Sequence, residues 1–589
     1  MLYKKTDKLT KEAFQNPGSE YRATPFWAWN CKMTKEEIDN SLDAIKKMGM
    51  GGGHIHCRTG MDNPYMGEEF LGLVKYTNDK CKEMDMLTWL YDEDRWPSGA
   101  GGGHVTKDHQ YRMRFLLFTP ECQDGKDVKN LKFQSSGQAV RSNERTFLGR
   151  YQVKLENGYL TDYAKIEADA SLKEGYHEWF AYLEVSGDHP WFNNQAYLNT
   201  LDKKAVQRFI EVTHEEYYKL LGDEFGKTVP AIFTDEPQFS HKKTLGFAGE
   251  NADVTLPYTD DLEDTFKAAY GHSLLEHLPE LFWELGEDKV SRIRYEYHDH
   301  IAERFADAFA DTIGSWCTEH GIMLTGHMME EPSLCTQTAA LGEAMRSYRS
   351  FQLPGVDMLC DRRELSTAKQ TQSAVHQYGR EGALSELYGV TNWDFDFRGH
   401  KLQGDWQAAL GITVRVPHLT WTTMAGEAKR DYPAAIGYQS PWYEEYPIIE
   451  NHFARVNSAL TRGVPHVRVG VIHPIESYWL FWGPKEQTAE VRDEMDENFM
   501  KMINWLLYGT IDFDFIAESL LPSLNEGQED VPTLKAGCMN YDVILVPNCK
   551  TIRGTTLEIL EKFRARGGRV VFTGETPMYV DAYPSALGK

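Results

Sequence analysis

The sequence predicts an α/β protein: a (β/α)8 barrel with a small antiparallel β domain inserted in it, followed by a flavodoxin-like doubly wound α/β domain. Eight short apolar strands alternate with helical patterns, one β-rich stretch interrupts them, and a second strand–helix alternation follows. Parallel strands need crossover connections, and eight of them close a barrel of about 250 residues. The predicted parts are 1–111 and 196–462 for the barrel, 112–195 for the inserted domain and 463–589 for the last domain.

The eight predicted barrel strands are short and bounded by polar or turn-forming residues. A helix from about Thr34 to Met48 follows the first strand, because its apolar residues recur at helical spacing. In chain order the predicted strands cover residues 25–30, 52–57, 87–92, 230–236, 322–327, 356–359, 382–386 and 412–416.

The two other domains differ in their patterns. Within the insertion, strands near 115–118, 151–155 and 179–185 alternate apolar and polar residues, and Glu156-Asn157-Gly158 marks a turn between them. After residue 466, strands near 469–474, 511–515, 541–547 and 568–574 alternate with helices near 491–507 and 556–565, as in an open doubly wound sheet. The chain stops just after a strand, which predicts that this domain is truncated.

The composition of the chain limits the kinds of partner that it is expected to bind. The chain has 589 residues, 41% hydrophobic content and a mean hydropathy of −0.52, which is typical of a soluble protein. Its 63 basic and 88 acidic residues give a formal charge of −25. Nucleic acid and anionic membranes reward cationic surfaces, so both are excluded as expected partners. A neutral or weakly charged substrate fits better, and the oligomeric state is left open.

Cysteine usage and the N-terminus predict the compartment. The nine cysteines are scattered and form no Cys-x-x-Cys pair, which argues against zinc-finger and thioredoxin-type sites and favours reduced thiols. The N-terminus has no apolar signal core, and no stretch of about 18 apolar residues follows. These features predict a cytoplasmic protein; a signal lost from a trimmed N-terminus is the alternative.

Two predicted barrel strands, the fourth and the seventh, end in glutamate. Side chains at the C-terminal strand ends of a barrel converge on one mouth, and cleavage of a glycosidic bond needs two facing carboxyl groups. Glu236 is the candidate general acid, with Asp235 as a supporting neighbour, because adjacent strand residues face opposite sides. Glu386 is the candidate second carboxylate, kept at a low pKa by hydrogen bonds from Ser385 and Tyr388. The alternatives are a helix-capping role for the first and a buried ion pair for the second.

Further polar and aromatic residues lie at or near the predicted strand ends. Polar side chains there could bind sugar hydroxyls, and flat aromatic rings could pack on a pyranose face; simple core packing is the alternative. The predicted substrate-binding residues are Trp27, Trp29, Asn30, His54, His56, Arg58, Asp92, Trp96, Asp235, His327, His418 and Trp421.

Metal and nucleotide sites are weaker hypotheses. His54 and His56 share one strand face and would need His327 or His418 to complete a zinc site. The acidic run Asp92-Glu93-Asp94 could bind calcium, which prefers oxygen ligands, so calcium is the one cofactor considered. Residues 99–103 are glycine-rich but lack the Gly-Lys-Ser/Thr ending of a phosphate loop.

Several stretches resemble glycoside hydrolase family 106, the α-L-rhamnosidases, and related bacterial barrel glycosidases. They are Pro-Phe-Trp-Ala-Trp-Asn, Met-Gly-Met-Gly-Gly-Gly-His-Ile, Arg-Trp-Pro-Ser-Gly-Ala-Gly-Gly-Gly, Phe-Thr-Asp-Glu-Pro and Leu-Ser-Glu-Leu-Tyr-Gly, spread over most of residues 20–440. The resemblance implies an interrupted barrel, two catalytic glutamates, inversion of configuration and a calcium ion near the sugar. Glu236 matches the acid position, and Glu386 stands at the second carboxylate.

The flavodoxin-like tail also resembles the accessory domain of barrel galactosidases that carry catalytic glutamates on strands four and seven. That likeness implies retention instead of inversion. The leading hypothesis is therefore an exo-acting glycoside hydrolase with a terminal sugar, α-L-rhamnose by resemblance, as its substrate. A retaining galactosidase-like enzyme, a non-catalytic carbohydrate-binding barrel and a metal-dependent hydrolase are the alternatives.

Overall fold

A computed structural model describes residues 2–3, 8–128, 139–286 and 289–586. Its largest sheet has eight parallel barrel strands in sequential order and a short ninth strand, Thr420–Trp421, that continues the eighth. The barrel strands are Phe26–Trp29, Gly52–Cys57, Leu87–Tyr91, Ala231–Asp235, Met323–His327, Leu353–Met358, Ala383–Leu387 and Ile412–Pro417. The predicted barrel is confirmed, and the sixth strand begins three residues earlier than predicted.

The barrel closes between its first strand and the ninth, short strand. Trp27 pairs with Thr420 and Ala28 with Trp421, both in parallel register. Below them, the Thr24 amide donates to the Arg415 carbonyl at 2.9 Å. The strand ends of the whole sheet therefore face one mouth.

Alternation along the strands separates a barrel interior from a surrounding core. Phe26, Trp89, Phe233, Leu384 and Val414 belong to the interior cluster. Neighbouring residues such as Trp27, Leu90 and Leu387 point outward and pack with the helices. This parity decides which strand-end residues reach the mouth.

The helices of the barrel begin and end at recognisable signals. The predicted helix after the first strand spans Lys35–Lys47, with Thr34 Oγ1 accepting the Glu37 amide at 3.2 Å and lysines in the last turn.

The described residues of the barrel and of the last domain form the following α-helices: Lys11–Gln15, Lys35–Lys47, Glu68–Glu83, Lys203–Val212, His214–Leu221, Leu262–Tyr270, Arg292–Phe305, Thr312–His320, Leu334–Ala340, Ala344–Tyr348, Leu365–Tyr378, Phe397–Ala409, Pro447–Leu460, Ile475–Trp479, Lys485–Tyr508, Leu521–Leu524 and Gly554–Ala565, with a π-helical turn at Ala306–Asp311.

The inserted β domain is a five-stranded antiparallel sheet. Its strands are Arg114–Thr119, Arg145–Glu156, Tyr159–Ile166, His177–Val185 and Val254–Pro257. The last of these pairs with Arg114–Thr119 but follows the fourth barrel strand in the chain. The sheet is therefore completed from outside the predicted segment 112–195.

The last domain is an open parallel sheet, as the predicted flavodoxin-like fold requires. Its four parallel strands lie in the order Phe513–Ile516, Val469–Ile472, Val543–Pro547 and Arg569–Thr573, that is 2-1-3-4. Small ladders at Leu534–Ala536 with Met539–Tyr541, and at Thr551–Ile552 with Tyr579–Val580 and Tyr583–Pro584, complete it. The barrel helix Leu365–Tyr378 packs beside its edge, where the Gln377 side chain donates to the Phe515 carbonyl at 2.7 Å. Among the described residues no helix is both long and apolar enough to cross a membrane.

Candidate active site

The fourth and fifth barrel strands bring Asp235 and His327 together. The two residues are register partners, and His327 Nε2 lies 3.1 Å from Asp235 Oδ1. Gly326, at φ 117°, allows this approach, because a Cβ there would lie 1.9 Å from the Thr234 carbonyl oxygen. The Thr325-Gly326-His327 sequence therefore serves to seat an imidazole beside the fourth strand.

Asp235 is held from the third strand and the loop after it. Its Oδ2 accepts the Tyr91 hydroxyl at 2.6 Å, and its amide donates to Ser98 Oγ at 2.8 Å. Burial raises its pKa, but the contact with His327 outweighs burial, so the pKa lies below its usual value. Asp235 is thus an ionised, fully engaged support for His327.

Glu236 departs from strand geometry at the position that matters most. It follows the strand in the left-handed conformation, at φ 47°. The turn brings its carboxyl group back towards the barrel axis, with an oxygen within 4.8 Å of ligand atoms of His327 and Asp357. Asp235 and Glu236 therefore both approach His327, although adjacent strand residues face opposite sides, because Glu236 lies beyond the end of the strand. Such a strained residue at a strand end is typical of functional sites.

Glu386 enters from the seventh strand, across the mouth. It is buried, its Oε2 lies 3.5 Å from His327 Nε2, and its Oε1 lies 3.7 Å from His418 Nε2. Its register partner on the sixth strand is Asp357. One imidazole, His327, therefore contacts the support Asp235 and Glu386 and lies close to the Glu236–Asp357 pair.

The charge states follow from crowding. Burial, with the charges of Asp235 and Asp357 nearby, raises the pKa of Glu236 well above its usual value. Burial and the same two aspartates do this for Glu386, and burial raises the pKa of Asp357 to about 6. His327, desolvated but beside Asp235, has a pKa raised well above its usual value, which favours its charged form. Four carboxyl groups lie close to this imidazole, and the raised pKa values of Glu236 and Glu386 favour their protonated forms.

The expected hydrogen bonds to Glu386 are not made. Ser385 Oγ donates to the Glu386 carbonyl at 3.2 Å, and the Tyr388 hydroxyl donates to the His400 carbonyl at 3.0 Å. Neither reaches the carboxylate, so the prediction of a low pKa on those grounds is wrong. The pKa of Glu386 lies well above its usual value, because burial and the charges of Asp357 and Asp235 outweigh the opposing effect of His327.

Three residues of the first strand do not line the mouth. Trp27 and Trp29 are fully buried in the outer core, where Trp27 Nε1 donates to Thr422 Oγ1 at 3.1 Å and Trp29 packs edge-on against Phe70. Asn30 exchanges hydrogen bonds with the backbone of Thr423, at 2.8 and 3.1 Å. The prediction that they bind sugar is corrected: strand parity turns the tryptophans outward, and Asn30 holds a loop.

His54 and His56 lie inside the barrel as packed, neutral imidazoles. His54 Nδ1 faces the Thr24 carbonyl at 3.1 Å, and the His56 ring packs at a tilt of 37° against Tyr91, with ring centres 4.2 Å apart. Burial lowers the pKa of each to about 3. For His54 the core alternative holds, because it sits a layer below the carboxyl groups.

Arg58 and Trp421 are buried against one another, 5.9 Å from guanidinium to ring. Arg58 forms a bidentate pair with Asp431, at 2.8 and 3.0 Å. Trp96 is half-buried and packs on Trp191 at 4.8 Å. His418, whose pKa burial lowers well below its usual value, is the one of these aromatic residues that adjoins Glu386.

The acidic run after the third strand is engaged internally. Asp92 is fully buried and accepts Ser98 Oγ at 2.5 Å, and Asp94 pairs with Arg95 at 2.9 Å. Glu93 accepts four backbone amides, from residues 94, 99, 101 and 102, at 2.5–2.9 Å. The oxygens of Glu93 and one oxygen each of Asp92 and Asp94 therefore accept protein donors, whereas Asp92 Oδ2 is buried without a hydrogen-bond partner. The calcium ion at this run and the contact of Asp92 with a substrate stay predictions.

Two groups in the described ranges bring three ligand atoms within 4.8 Å: Asp235, His327 and Glu386, and Glu236, His327 and Asp357. Neither includes His54, His56 or His418, so the zinc site built on the His-x-His pair is not formed by the described residues. Both groups share His327 and contain the residues that an acid–base mechanism needs.

Sequence reasoning missed Tyr91, Ser98 and Asp431 as parts of the site. Ser98 lies in the Trp-Pro-Ser-Gly stretch, which did mark it as unusual. Tyr91 faces inward at the end of a strand, so parity could have found it. Asp431 lies in a long loop without periodic pattern, and nothing in the sequence pointed to it.

No protein-family model matches the chain, and no curated protein matches its sequence. Solved structures do resemble it. A rhamnosidase from Novosphingobium sp. PP1Y superposes with a TM-score of 0.65 at 15% identity, covering 97% of this chain and 70% of that one. A β-galactosidase from Bacillus circulans sp. alkalophilus gives 0.56 at 12%, covering 97% and 73%. One from Halorubrum lacusprofundi gives 0.52 at 12%, covering 96% and 75%. At such identities the likeness shows a shared fold.

Proposed function

We propose that the protein is an exo-acting glycoside hydrolase that removes a terminal sugar from an oligosaccharide or glycoconjugate. The observation that carries this is that Glu236 and Glu386, from the fourth and seventh strands, both approach His327 at the mouth. Two carboxyl groups facing one another are what this reaction requires. The shared fold of rhamnosidase and β-galactosidase structures supports the class.

Glu236 is proposed as the general acid and Glu386 as the second carboxylate. Burial beside Asp235 and Asp357 keeps a proton on Glu236, which can then protonate the leaving oxygen. Glu386, next to the positive charge of His327, acts as nucleophile or as the base that activates water. Which of these it does decides between retention and inversion.

α-L-Rhamnose is the proposed sugar, because the sequence stretches around Glu236 and the Trp-Pro-Ser-Gly loop resemble rhamnosidases. A galactosidase-like enzyme that retains configuration is the second candidate, favoured by the strand-four and strand-seven placement of the glutamates. A panel of nitrophenyl glycosides that includes α-L-rhamnoside and β-D-galactoside tests both. Hydrolysis of one glycoside identifies the sugar; binding without hydrolysis of any would leave a carbohydrate-binding barrel and refute the enzyme.

A calcium requirement stays a prediction of the resemblance, with Asp92 Oδ2 as the one buried oxygen of the Asp92-Glu93-Asp94 run that lacks a hydrogen-bond partner. Activity measured after dialysis against a chelator, with calcium or zinc added back, tests it directly. Full activity of the chelated protein would remove both metals from the proposal.

A further inference from the structure

The loop after the eighth barrel strand is held at the mouth by contacts with residues that follow the first, second and seventh strands. We call residues 422–434 the clamped loop. Asn30 of the first strand binds the backbone of Thr423, and Arg58 beyond the second strand forms its bidentate pair with Asp431. A loop of this length that is tied at both ends by buried polar groups can hold a side chain in a defined place.

The loop after the seventh strand lies beside the clamped loop and is hydrogen-bonded to it; together we call the two loops the wall. The Asn392 amide donates to the Pro433 carbonyl at 3.0 Å, and Trp393 Nε1 donates to the Lys429 carbonyl at 3.2 Å. The two loops therefore form one continuous edge of the mouth, beside Glu386.

Tyr432 is the side chain that this wall presents. It adopts the left-handed conformation, at φ 53°, next to the clamped Asp431, and 37% of it is exposed. Its ring lies 5.4 Å from that of His418, which in turn adjoins Glu386. Burial, and next the charge of Glu236, raise the pKa of its phenol, so the hydroxyl lies within electrostatic range of the acid.

The hydroxyl of Tyr432 has no hydrogen-bond partner among the described residues, and Nδ1 of the neighbouring His418 ring also has none. The ring of Tyr432 packs beside His418, which adjoins Glu386, and its hydroxyl is unpaired. It therefore has the two properties that a sugar needs: a flat apolar surface for C–H groups and a partner for a hydroxyl.

We propose that Tyr432 is a substrate-positioning residue, on whose ring the terminal pyranose packs while Glu236 and Glu386 act on its glycosidic bond. The inference rests on the proposed function and extends it to the binding of the sugar ring. Arg58 and Asp431 then act through Tyr432, by holding the clamped loop in place.

The test compares Tyr432→Ala and Tyr432→Phe with the wild type on the preferred nitrophenyl glycoside. An aromatic stacking contact of about 1–1.5 kcal/mol corresponds to roughly tenfold, so Tyr432→Ala should raise KM about tenfold with kcat changed less than about threefold. Tyr432→Phe keeps the ring and should raise KM about threefold to fivefold through the lost hydroxyl. Tyr508→Ala, an exposed tyrosine in the last domain, is the matched control and should leave KM unchanged.

Calorimetric titration with the free monosaccharide separates this inference from the proposed function. If the wild type hydrolyses a glycoside and Tyr432→Ala has unchanged KM and unchanged monosaccharide affinity, the role of Tyr432 is refuted and the enzyme stands. If the wild type hydrolyses nothing but binds a sugar that Tyr432→Ala does not bind, the packing role stands and the enzyme is refuted. If the wild type neither hydrolyses nor binds any sugar, both are refuted.

Discussion

His56 and His327 occupy comparable places and have opposite charge states. Each is buried, faces the barrel interior and lies at or next to the end of a strand. Burial lowers the pKa of His56 to about 3, and the charge of Arg58 adds to this. At His327 the contact with Asp235 outweighs burial and raises the pKa well above its usual value. The partner across the strand pair, and not the position on the barrel, decides whether a histidine is a cation.

The same contrast divides the mouth into two halves. Strands four to seven contribute the ionisable groups Asp235, Glu236, His327, Asp357 and Glu386. Strands one to three contribute packing and clamps, among them Trp27, Asn30 and Asp92. If this division is correct, substitutions in the first half should change the chemistry, and those in the second should change stability or binding.

The largest expected effect is that of Glu386→Ala. Removing the second carboxylate should lower kcat about 10⁴-fold, because no other group replaces a positioned nucleophile or base. Added azide should restore activity if Glu386 is a nucleophile, and proton NMR of the first-formed anomer should then show retention. A Glu386→Ala enzyme with near-normal kcat would contradict the division and direct attention to Asp357 or Glu331.

Glu236→Gln should lower kcat about 10³-fold on glycosides with poor leaving groups and much less on activated aryl glycosides, since only the former need a proton. Glu330→Gln is the matched control, because Glu330 is also left-handed, at φ 64°, and lies on the same rim but is exposed. Equal losses for both kinds of substrate would exclude the acid role.

A pair of histidine variants tests the comparison itself. His327→Asn removes the positive charge that lowers the pKa of Glu386, so the acidic limb of the kcat/KM profile should move to higher pH and kcat should fall about 10²-fold. His56→Asn removes a neutral ring and should leave the profile in place. Parallel pH profiles for the two variants would refute the assignment of charge to His327.

Glu331 gives the smallest effect, on stability. It is buried and accepts the Met328 amide and the Tyr348 hydroxyl, and burial raises its pKa to about 8. Its stabilising contribution is therefore complete below its unfolded pKa of about 4.5 and is lost as the pH rises towards 8. Glu331→Gln should raise Tm by about 2–4 °C at pH 8 and not at pH 4.5. A Tm gain independent of pH would contradict this.

The barrel and the flavodoxin-like domain were predictable because apolar periodicity and strand–helix alternation carry both folds. The sixth strand was predicted too short, because Pro354-Gly355 suggests a turn whereas the strand runs from Leu353. The inserted sheet was predicted without Val254–Pro257, since a pairing across more than 130 residues leaves no local pattern.

The site was predictable only where the alternation of inward and outward side chains along a strand, the strand parity, applies. Parity places Glu386 at the mouth, and applied to the first strand it would also have turned Trp27 and Trp29 away from it. It fails at Glu236, because the left-handed turn lies beyond the strand. Tyr432 and Asp431 depend on loop contacts with Asn392 and Arg58, which are distant in the chain. The catalytic roles of the two glutamates stay predictions until the variants are measured.

The four amides around Glu93 show what the glycine-rich loop is for. Backbone N–H groups that converge in this way form a receptor for an anion, and Gly101, Gly102 and Gly103 supply the positive φ angles that such a curl needs. Here the receptor is filled by a carboxylate of the same chain. The glycine-rich loop therefore binds a carboxylate of its own chain, and this contact shapes the rim beside Ser98 and Asp235. Because Glu93 occupies the amides, they are not available to inorganic phosphate or a nucleotide.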